Sequence, residues 1–395
     1  MSDFPAGDPA VPRTPWVRAG NRDRPLSILQ VLEKGSFTTG SVVQMFELAR
    51  GLARRGHRVA VVSRPHGEVG GRCRAEGIPF HPLPLRHEFD ISSAHALARL
   101  YDESAADVVH VHKGIAHSAA LIATFFARRR PVLVVNRGVS FPLDPFAALK
   151  YRARLDAVVT VCEDIRRVVV ATAGVPPEKV HVVHAGVDVS RFDPTRVDGR
   201  GVRREWEVAP DEKLLVTVGA REWKGWRDLL SAAALLAADF RNLRTAVVAC
   251  KDEAEKERVR GYARGEGIGD RAIAVGFRTD MPDVLAAADL VADLSFEGLG
   301  ITGTIREAMA LGKAVVASAA GGNPELVEDG RSGLLVPPRN PPAAAAAFRR
   351  LLSEPELASA LGRAARERVV RSFSTEVRLE RIEALYRKLV PNADV

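Results

Sequence analysis

The residues best equipped for chemistry lie in glycine-bearing segments that follow runs of Val, Leu and Ala. The densest reads Ser295-Phe296-Glu297-Gly298-Leu299-Gly300-Ile301-Thr302-Gly303-Thr304-Ile305-Arg306-Glu307. Gly298, Gly300 and Gly303 permit close backbone approach to a ligand. A helix starting near Thr302, Gly303 and Thr304 would aim free N–H groups and a partial positive charge at an anion. Glu297 and Glu307 flank that start, and one carboxylate can accept two hydrogen bonds from a vicinal diol such as a ribose. Phosphate and diol recognition in one loop describes a nucleotide-sugar pocket.

A second segment reads Val218-Gly219-Ala220-Arg221-Glu222-Trp223-Lys224-Gly225. Two cations three residues apart in a turn suit a diphosphate, each close charge pair being worth ~4 kcal/mol near a protein surface before desolvation. A solvated surface loop is the alternative. A third segment runs from Glu33 to Ser41, with Gly35 and Gly40 at the spacing of a P-loop. Ser41 stands where that motif needs lysine, so a nucleoside-triphosphate site is not expected. What remains is a turn into a helix N-terminus, suited to an anion or serving only as a turn.

Other residues carry less. His110 and His112 alternate on a strand; His112 is expected at its carboxyl edge, lining an acceptor cleft. They supply too few ligands for a metal, and no Asp-x-Asp pair is present. Trp223 and Trp226 would stack on a sugar or pack in the core. Cys162 has no identifiable base near it. Arg128–Arg130 reads as the solvated end of a helix.

These loops need strands to position them. Twelve short apolar runs, from Leu26–Leu32 to Gly333–Val336, alternate with helical patterns such as Met45, Leu48, Ala49 and Leu52, closed by Gly56. Continuous rather than alternating apolar runs belong to parallel strands covered on both faces, and the alternation implies doubly wound α/β domains. Asn323-Pro324 reads as a helix cap followed by proline at the first helical position. The pattern lapses over Arg191–Pro210, a candidate linker. The expected organisation is a disordered leader over 1–24, a first domain over 25–190, the linker over 191–210, a second domain over 211–373, and a terminal segment 374–395 whose helix packs back toward the first domain. At ~150 residues per domain, 395 residues allow this division.

Composition bounds the function. The longest apolar run, Ser118–Ala127, is too short for a membrane span, which needs roughly 20 residues. Cys73, Cys162 and Cys250 are isolated, which argues against a disulfide framework and for a reducing cytoplasm. The net charge of +8 lies wholly in residues 1–200, with 28 Lys and Arg against 20 Asp and Glu; residues 201–395 carry 29 of each. The first half either has drifted in composition or meets an anionic partner: a membrane surface, nucleic acid or an acidic substrate. It lacks clustered aromatics or a nucleic-acid motif, so no nucleic-acid partner is expected.

Taken together and in order, the segments resemble the retaining family-4 glycosyltransferases of the GT-B fold. They are GSVVQMFELARGLARRGHRVAVVS, ADVVHVHKG and KVHVVHAGVDVSRFDP, then VGAREWKG, VGFRTDMPDVLAAADLVADLS, EGLG with REAMALGKAVVAS, and GGNPELVEDGRSGLLVPP. The resemblance implies two Rossmann-like domains facing across a cleft, with the nucleotide sugar on the second. It places the donor sugar on Glu297, the diphosphate on Arg221 and Lys224, and the ribose on Glu307. Phe277 and Arg278 would lie beside the base. Gly219, Thr302, Gly303, Thr304 and Gly40 would complete the donor site, with Gly40 matching the second glycine of the N-terminal loop. Asn136 and Arg137 stand where an acceptor-side histidine is common. The family usually has seven residues between its two glutamates; this chain has nine, and its arginine and lysine are closer together than usual.

The expected activity is metal-independent and cofactor-free transfer of a sugar, with retention, to a glycan or glycolipid such as a lipopolysaccharide core. It would occur in the cytoplasm, with peripheral contact to the anionic inner face of the membrane. A nucleotide-sugar epimerase and a non-catalytic sugar-nucleotide-binding protein are the alternatives.

Overall fold

A computed structural model describes residues 24–37, 39–298 and 300–390. The expected leader lies outside these residues except for Arg24, which pairs with Asp107 at 2.6 Å.

Thirteen strands form two parallel sheets. The first holds β1 (Ser27–Leu32), β2 (Arg58–Ser63), β3 (Phe80–Pro82), β4 (Val108–Val111), β5 (Val132–Arg137), β6 (Ala157–Thr160) and β7 (Val180–Val182), in the order β3-β2-β1-β4-β5-β6-β7. The second holds β8 (Lys213–Val218), β9 (Leu243–Cys250), β10 (Ala272–Gly276), β11 (Leu290–Asp293), β12 (Ala314–Ser318) and β13 (Leu334–Val336), in the order β10-β9-β8-β11-β12-β13. Every residue of β1, β4, β6, β11 and β12 is buried, as strands with helices on both faces require. Strand order reverses beside β1 and β4 in one sheet and beside β8 and β11 in the other. At such switch points the loops after neighbouring strands diverge and leave a crevice.

Only β3 has no counterpart among the expected strands. It is three residues long, ends in proline and sits at a sheet edge, so it carries no hydrophobic run. The expected linker is more ordered than its polar sequence implied. Residues Arg200–Glu205 form a helix, and Gly199 lies so close to the helix Met281–Ala287 that a Cβ there would stand 2.2 Å from the Ala287 nitrogen.

The chain crosses between the sheets twice, and the crossings are bonded to each other. Val187 N–H donates to the Phe373 carbonyl at 3.0 Å, and Thr375 N–H donates to the Val187 carbonyl at 2.9 Å. Beyond the second crossing, the helix Thr375–Leu389 returns to the first sheet. Its Leu379, Ile382, Leu385 and Tyr386 share a core with Ile28, Leu32, Val42 and Met45. Gly51 lets the helix pack closely, since a Cβ there would stand 2.3 Å from a Leu379 methyl.

A buried polar group ties this helix to the strands. The Tyr386 hydroxyl meets His110 Nδ1 at 2.6 Å and accepts from Gln30 Nε2 at 3.3 Å, and Gln30 Oε1 meets His112 Nε2 at 2.7 Å. Burial pushes His110 down to about 3 and His112 well below the usual imidazole range. His117, packed on Tyr151, is likewise pushed down to about 3 by burial. A histidine with a depressed folded pKa contributes stability that is complete above the unfolded value of ~6.5 and is lost as pH falls below it. Urea unfolding should therefore show stability falling from pH ~6.5 downward, by up to about 1.4 kcal/mol per pH unit for each such histidine. His110→Asn should flatten that slope, and an identical pH dependence in the variant and the parent would contradict the assignment.

Candidate active site

The loops after β11 and β12 of the second sheet meet those after β5 and β6 of the first. Three glycines make that approach possible. A Cβ on Gly298 would stand 2.5 Å from the Phe141 ring, one on Gly300 2.5 Å from a Val161 methyl, and one on Gly322 2.7 Å from the Cys162 Cβ. This corrects the expectation for Gly298 and Gly300: the group that comes close to them is the first domain. Gly303 differs, because a Cβ there would meet only the tips of Arg306 and Glu307 at 3.9 Å. The Cys162 thiol is buried at this contact and pushed up to about 12 by desolvation, which leaves no nucleophile.

Lys224 is held from two sides. Its stem lies over Gly219, whose φ of +108° and missing side chain make the room. Its Nζ sits 3.4 Å from Oδ2 of Asp293, the fully buried last residue of β11. Asp293 is fixed in turn by Ser295, whose N–H donates at 3.1 Å and whose hydroxyl also donates. Gly225 completes the turn in the left-handed region, where a Cβ would strike the Leu294 carbonyl at 2.1 Å. Arg221 is exposed, with its guanidinium 6.0 Å from the Trp223 ring; Lys224 Nζ is 5.1 Å from the same ring. Trp226 is fully buried and belongs to the core.

The helix Gly303–Ala310 begins as expected, with Thr302 before it, no side-chain cap and no acid in its first turn. Asn323 fixes that start. Its Oδ1 accepts from the Thr302 hydroxyl at 2.9 Å, and its Nδ2 donates to the Ser318 carbonyl at 3.1 Å. Asn323 is thus a brace between loops and not the helix cap its sequence implied; the residue before that helix is Gly322. Burial pushes the Glu307 carboxyl up, while Arg306, Arg191 and Lys224 pull it down, so these cations surround it. Glu297 is exposed instead at a pocket of about 240 Å³ between the domains, lined also by Ser140, Phe141, Asp164 and Phe296. The two glutamates therefore stand in different surroundings.

The remaining candidates are scattered. Phe277 projects from the end of β10, 68% exposed. Arg278 is engaged by Asp280 at 2.6 Å and Glu205 at 2.5 Å, and these carboxylates raise its pKa further. Gly40 opens the helix Gly40–Arg54 with nothing within 4 Å of a Cβ position. Asn136 is half-buried in β5; Arg137 donates to the Phe141 carbonyl and keeps a buried Nε without a partner. His112 is 4% exposed and bonded to Gln30, so its contacts are those of the buried network and not of a cleft wall.

Sequence reasoning gave no site role to Asp293 or Arg191 and read Asn323 only as a helix cap. It quoted Lys34 and Lys113 without assigning them, although both follow strands directly. Burial and the neighbouring Lys34 charge push Lys113 down, with Glu33 opposing. Among the described residues no group of His, Cys, Asp and Glu could hold a metal ion. A larger recess of about 690 Å³ lies at the amino edge of the second sheet. Its Arg203 and Lys313 are already bonded to Asp289 at 3.1 Å and to backbone carbonyls at 2.6 and 2.8 Å.

Comparison with known proteins gives the family and the fold. Residues 38–191 match the model of Glycosyltransferase Family 4, and residues 201–368 match that of Glycosyl transferases group 1. N-acetyl-alpha-D-glucosaminyl L-malate synthase of Bacillus anthracis is 23% identical over 374 residues, covering 88% of this chain and 93% of that protein. D-inositol 3-phosphate glycosyltransferase of Mycobacterium tuberculosis is 26% identical over 365 residues, covering 83% and 75%. A glycosyltransferase from Rickettsia africae has the same fold, with a TM-score of 0.85 at 20% identity over 93% of this chain and all of that one. HepE of Anabaena in complex with UDP follows at 0.79 and 21%, over 92% and 100%.

The two loop glycines of the first domain should respond oppositely to substitution. Gly35→Ala places a Cβ 1.9 Å from the His66 carbonyl and should cost roughly 2 kcal/mol or more. Gly40→Ala should change stability by less than about 1 kcal/mol. Urea denaturation of both variants decides, and equal losses would contradict the close contact of Gly35 with the His66 carbonyl.

Proposed function

The chain belongs to the glycosyltransferases of group 1 and family 4, and on that premise we propose that it moves a sugar from a nucleoside-diphosphate sugar to an acceptor hydroxyl, with retention and without a divalent ion. The observation that carries this reading is the placement of Lys224. It is clamped between Gly219 and Asp293 and lies within electrostatic range of Glu307, on a helix whose first turn holds no acid. A diphosphate between Lys224, Arg221 and that helix start would have its charge met by two cations and oriented N–H groups, and Glu307 would take the ribose diol.

As the bond from the sugar C1 to the phosphate oxygen breaks, negative charge grows on the leaving diphosphate. Preorganised cations and N–H groups stabilise charge where it develops. The acceptor oxygen bonds to C1 on the face the phosphate leaves, and its proton passes to the departing phosphate oxygen. The approach of the two domains at Gly298, Gly300 and Gly322 would exclude the water that could otherwise hydrolyse the donor.

HepE of Anabaena was solved with UDP and with UDP-glucose, which makes these the first ligands to test. The acceptor is proposed to be a membrane glycolipid or lipopolysaccharide core, met at the inner face of the membrane; no helix among the described residues could cross one. Lys34 and Lys113 favour a second reading, a soluble phosphorylated acceptor, and one relative is named for D-inositol 3-phosphate.

Saturating nucleoside diphosphate, at ~100 times its dissociation constant, should stabilise the chain by about 2.7 kcal/mol. Lys224→Met should weaken diphosphate binding by roughly 10- to 100-fold while sparing the bare nucleoside, and should lower kcat by about 10²–10³. Glu307→Gln should weaken both ligands. Turnover should survive chelator, and proton NMR of the product should show the donor's anomeric configuration. No binding of any nucleotide or nucleotide sugar by calorimetry would end this reading, and epimerised donor in the absence of acceptor would replace it.

A further inference from the structure

Large apolar side chains are exposed unevenly. Of eleven found exposed among the described residues, eight fall between Phe89 and Leu149 of the first domain. They are not scattered there. Phe89 and Phe146 have ring centroids 5.6 Å apart, His95 and Phe126 likewise 5.6 Å, and the Arg154 guanidinium lies 4.0 Å over the Phe125 ring. Phe89 just precedes the helix Ile91–Glu103, Phe125 and Phe126 end the helix Gly114–Phe126, and Arg154 just follows the helix Pro145–Arg152, so these contacts link three neighbouring helices pairwise. Phe89, Phe125 and Leu149 are each 62% exposed. Exposed apolar side chains grouped in this way mark an interaction site.

The charge around the face selects the partner. Residues 86–156, which span the three helices, hold ten Lys and Arg against seven Asp and Glu, and the excess lies in the stretch from Arg128 to Arg154. Arg128, Arg129, Arg130, Arg152 and Arg154 are exposed. The acids nearby are mostly engaged: Glu88 holds Lys150 at 2.8 Å, Asp90 caps the helix that follows it, Asp102 accepts the backbone N–H groups of Arg128 and Arg129 at 3.1 Å, and Asp156 pairs with Arg130 at 3.0 Å. Two copies joined through this face by a twofold axis would set the arginines against themselves. Aromatic and aliphatic groups beside exposed arginines suit a bilayer with anionic headgroups.

We propose that this face seats the enzyme on an anionic lipid bilayer, with Phe125, Phe126 and Leu149 entering the interface and the arginines meeting lipid phosphates. The inference rests on the lipid-linked acceptor proposed above and assigns the surface that would meet it. The face also leads to the site. The segment Ser140–Pro142 lines the pocket beside Glu297, Phe141 is 45% exposed, and the helix Pro145–Arg152 follows it directly.

Co-sedimentation of the full chain with vesicles of phosphatidylcholine, with and without phosphatidylglycerol, tests this. The chain should pellet with the anionic vesicles at low salt and be released by high salt. Phe125→Ser with Leu149→Ser should lower partitioning by about tenfold or more, and replacing Arg128, Arg129 and Arg130 with Gln should lower it comparably. Leu235→Ser, an exposed leucine of the second domain, should have no effect. The inference is overturned by no pelleting with anionic vesicles, by equal pelleting of the Phe125/Leu149 variant, or by a dimer that this variant converts to monomer with no vesicle binding. Calorimetry with UDP and other nucleoside diphosphates on the same samples separates the two ideas. Nucleotide uptake without vesicle binding removes the membrane face and leaves sugar transfer standing; vesicle binding without any nucleotide uptake does the reverse.

Discussion

The two places where the chain passes between its sheets are hydrogen-bonded to each other, through Val187 with Phe373 and Thr375. Everything at the cleft depends on that pairing. It brings the last helix back onto the first sheet, where Tyr386 joins Gln30 and His110 in a buried polar group. A single flexible tether would let the sheets take many relative orientations. Two adjacent crossings and a docked helix leave few, and those few turn the carboxyl edges toward each other. Buried polar groups are costly when left unpaired, so the bonds that the Tyr386 hydroxyl makes with His110 Nδ1 and Gln30 favour one docking of the helix over others.

The cleft itself is an electrostatic arrangement more than a constellation of acid and base. Buried Asp293 fixes Lys224, and Arg191, Arg306 and Lys224 surround Glu307. His110 and His112, at the end of β4, are buried, held neutral and bonded inside the first domain. Fixed cations and a helix start favour a ligand that carries its charge in phosphate groups, since they need no reorganisation as that charge grows. Domain contact is equally local: Glu325 accepts from the Glu163 N–H at 2.8 Å and meets His184 Nε2 at 2.9 Å, while glycines elsewhere let backbones touch. Interfaces of this polar and limited kind accompany relative domain movement.

Much of the architecture was legible because both sheets are parallel and covered on both faces. Burial on both sides demands continuous Val, Leu and Ala runs, and these are visible without any structure; β3 escaped because an edge strand of three residues needs no such run. The helix start at Gly303, the buried Trp226 and the turn at Lys224 were readable for the same reason, being local features of βα turns. The roles of Gly298, Gly300 and His112 were not. Each depends on what a distant segment brings to it, respectively Phe141, Val161 and Gln30.

The sequence by itself determined the strands, the turns and the residue types at each strand end, because these follow from local hydrophobic period and from glycine's tolerance of positive φ. Tertiary structure alone decided that Lys224 would answer to Asp293, that Asn323 would brace Thr302, and that exposed aromatic residues from neighbouring helices would meet in pairs. Those pairings join segments tens of residues apart. Their energies depend on distance and burial, and neither quantity exists until the sheets have formed.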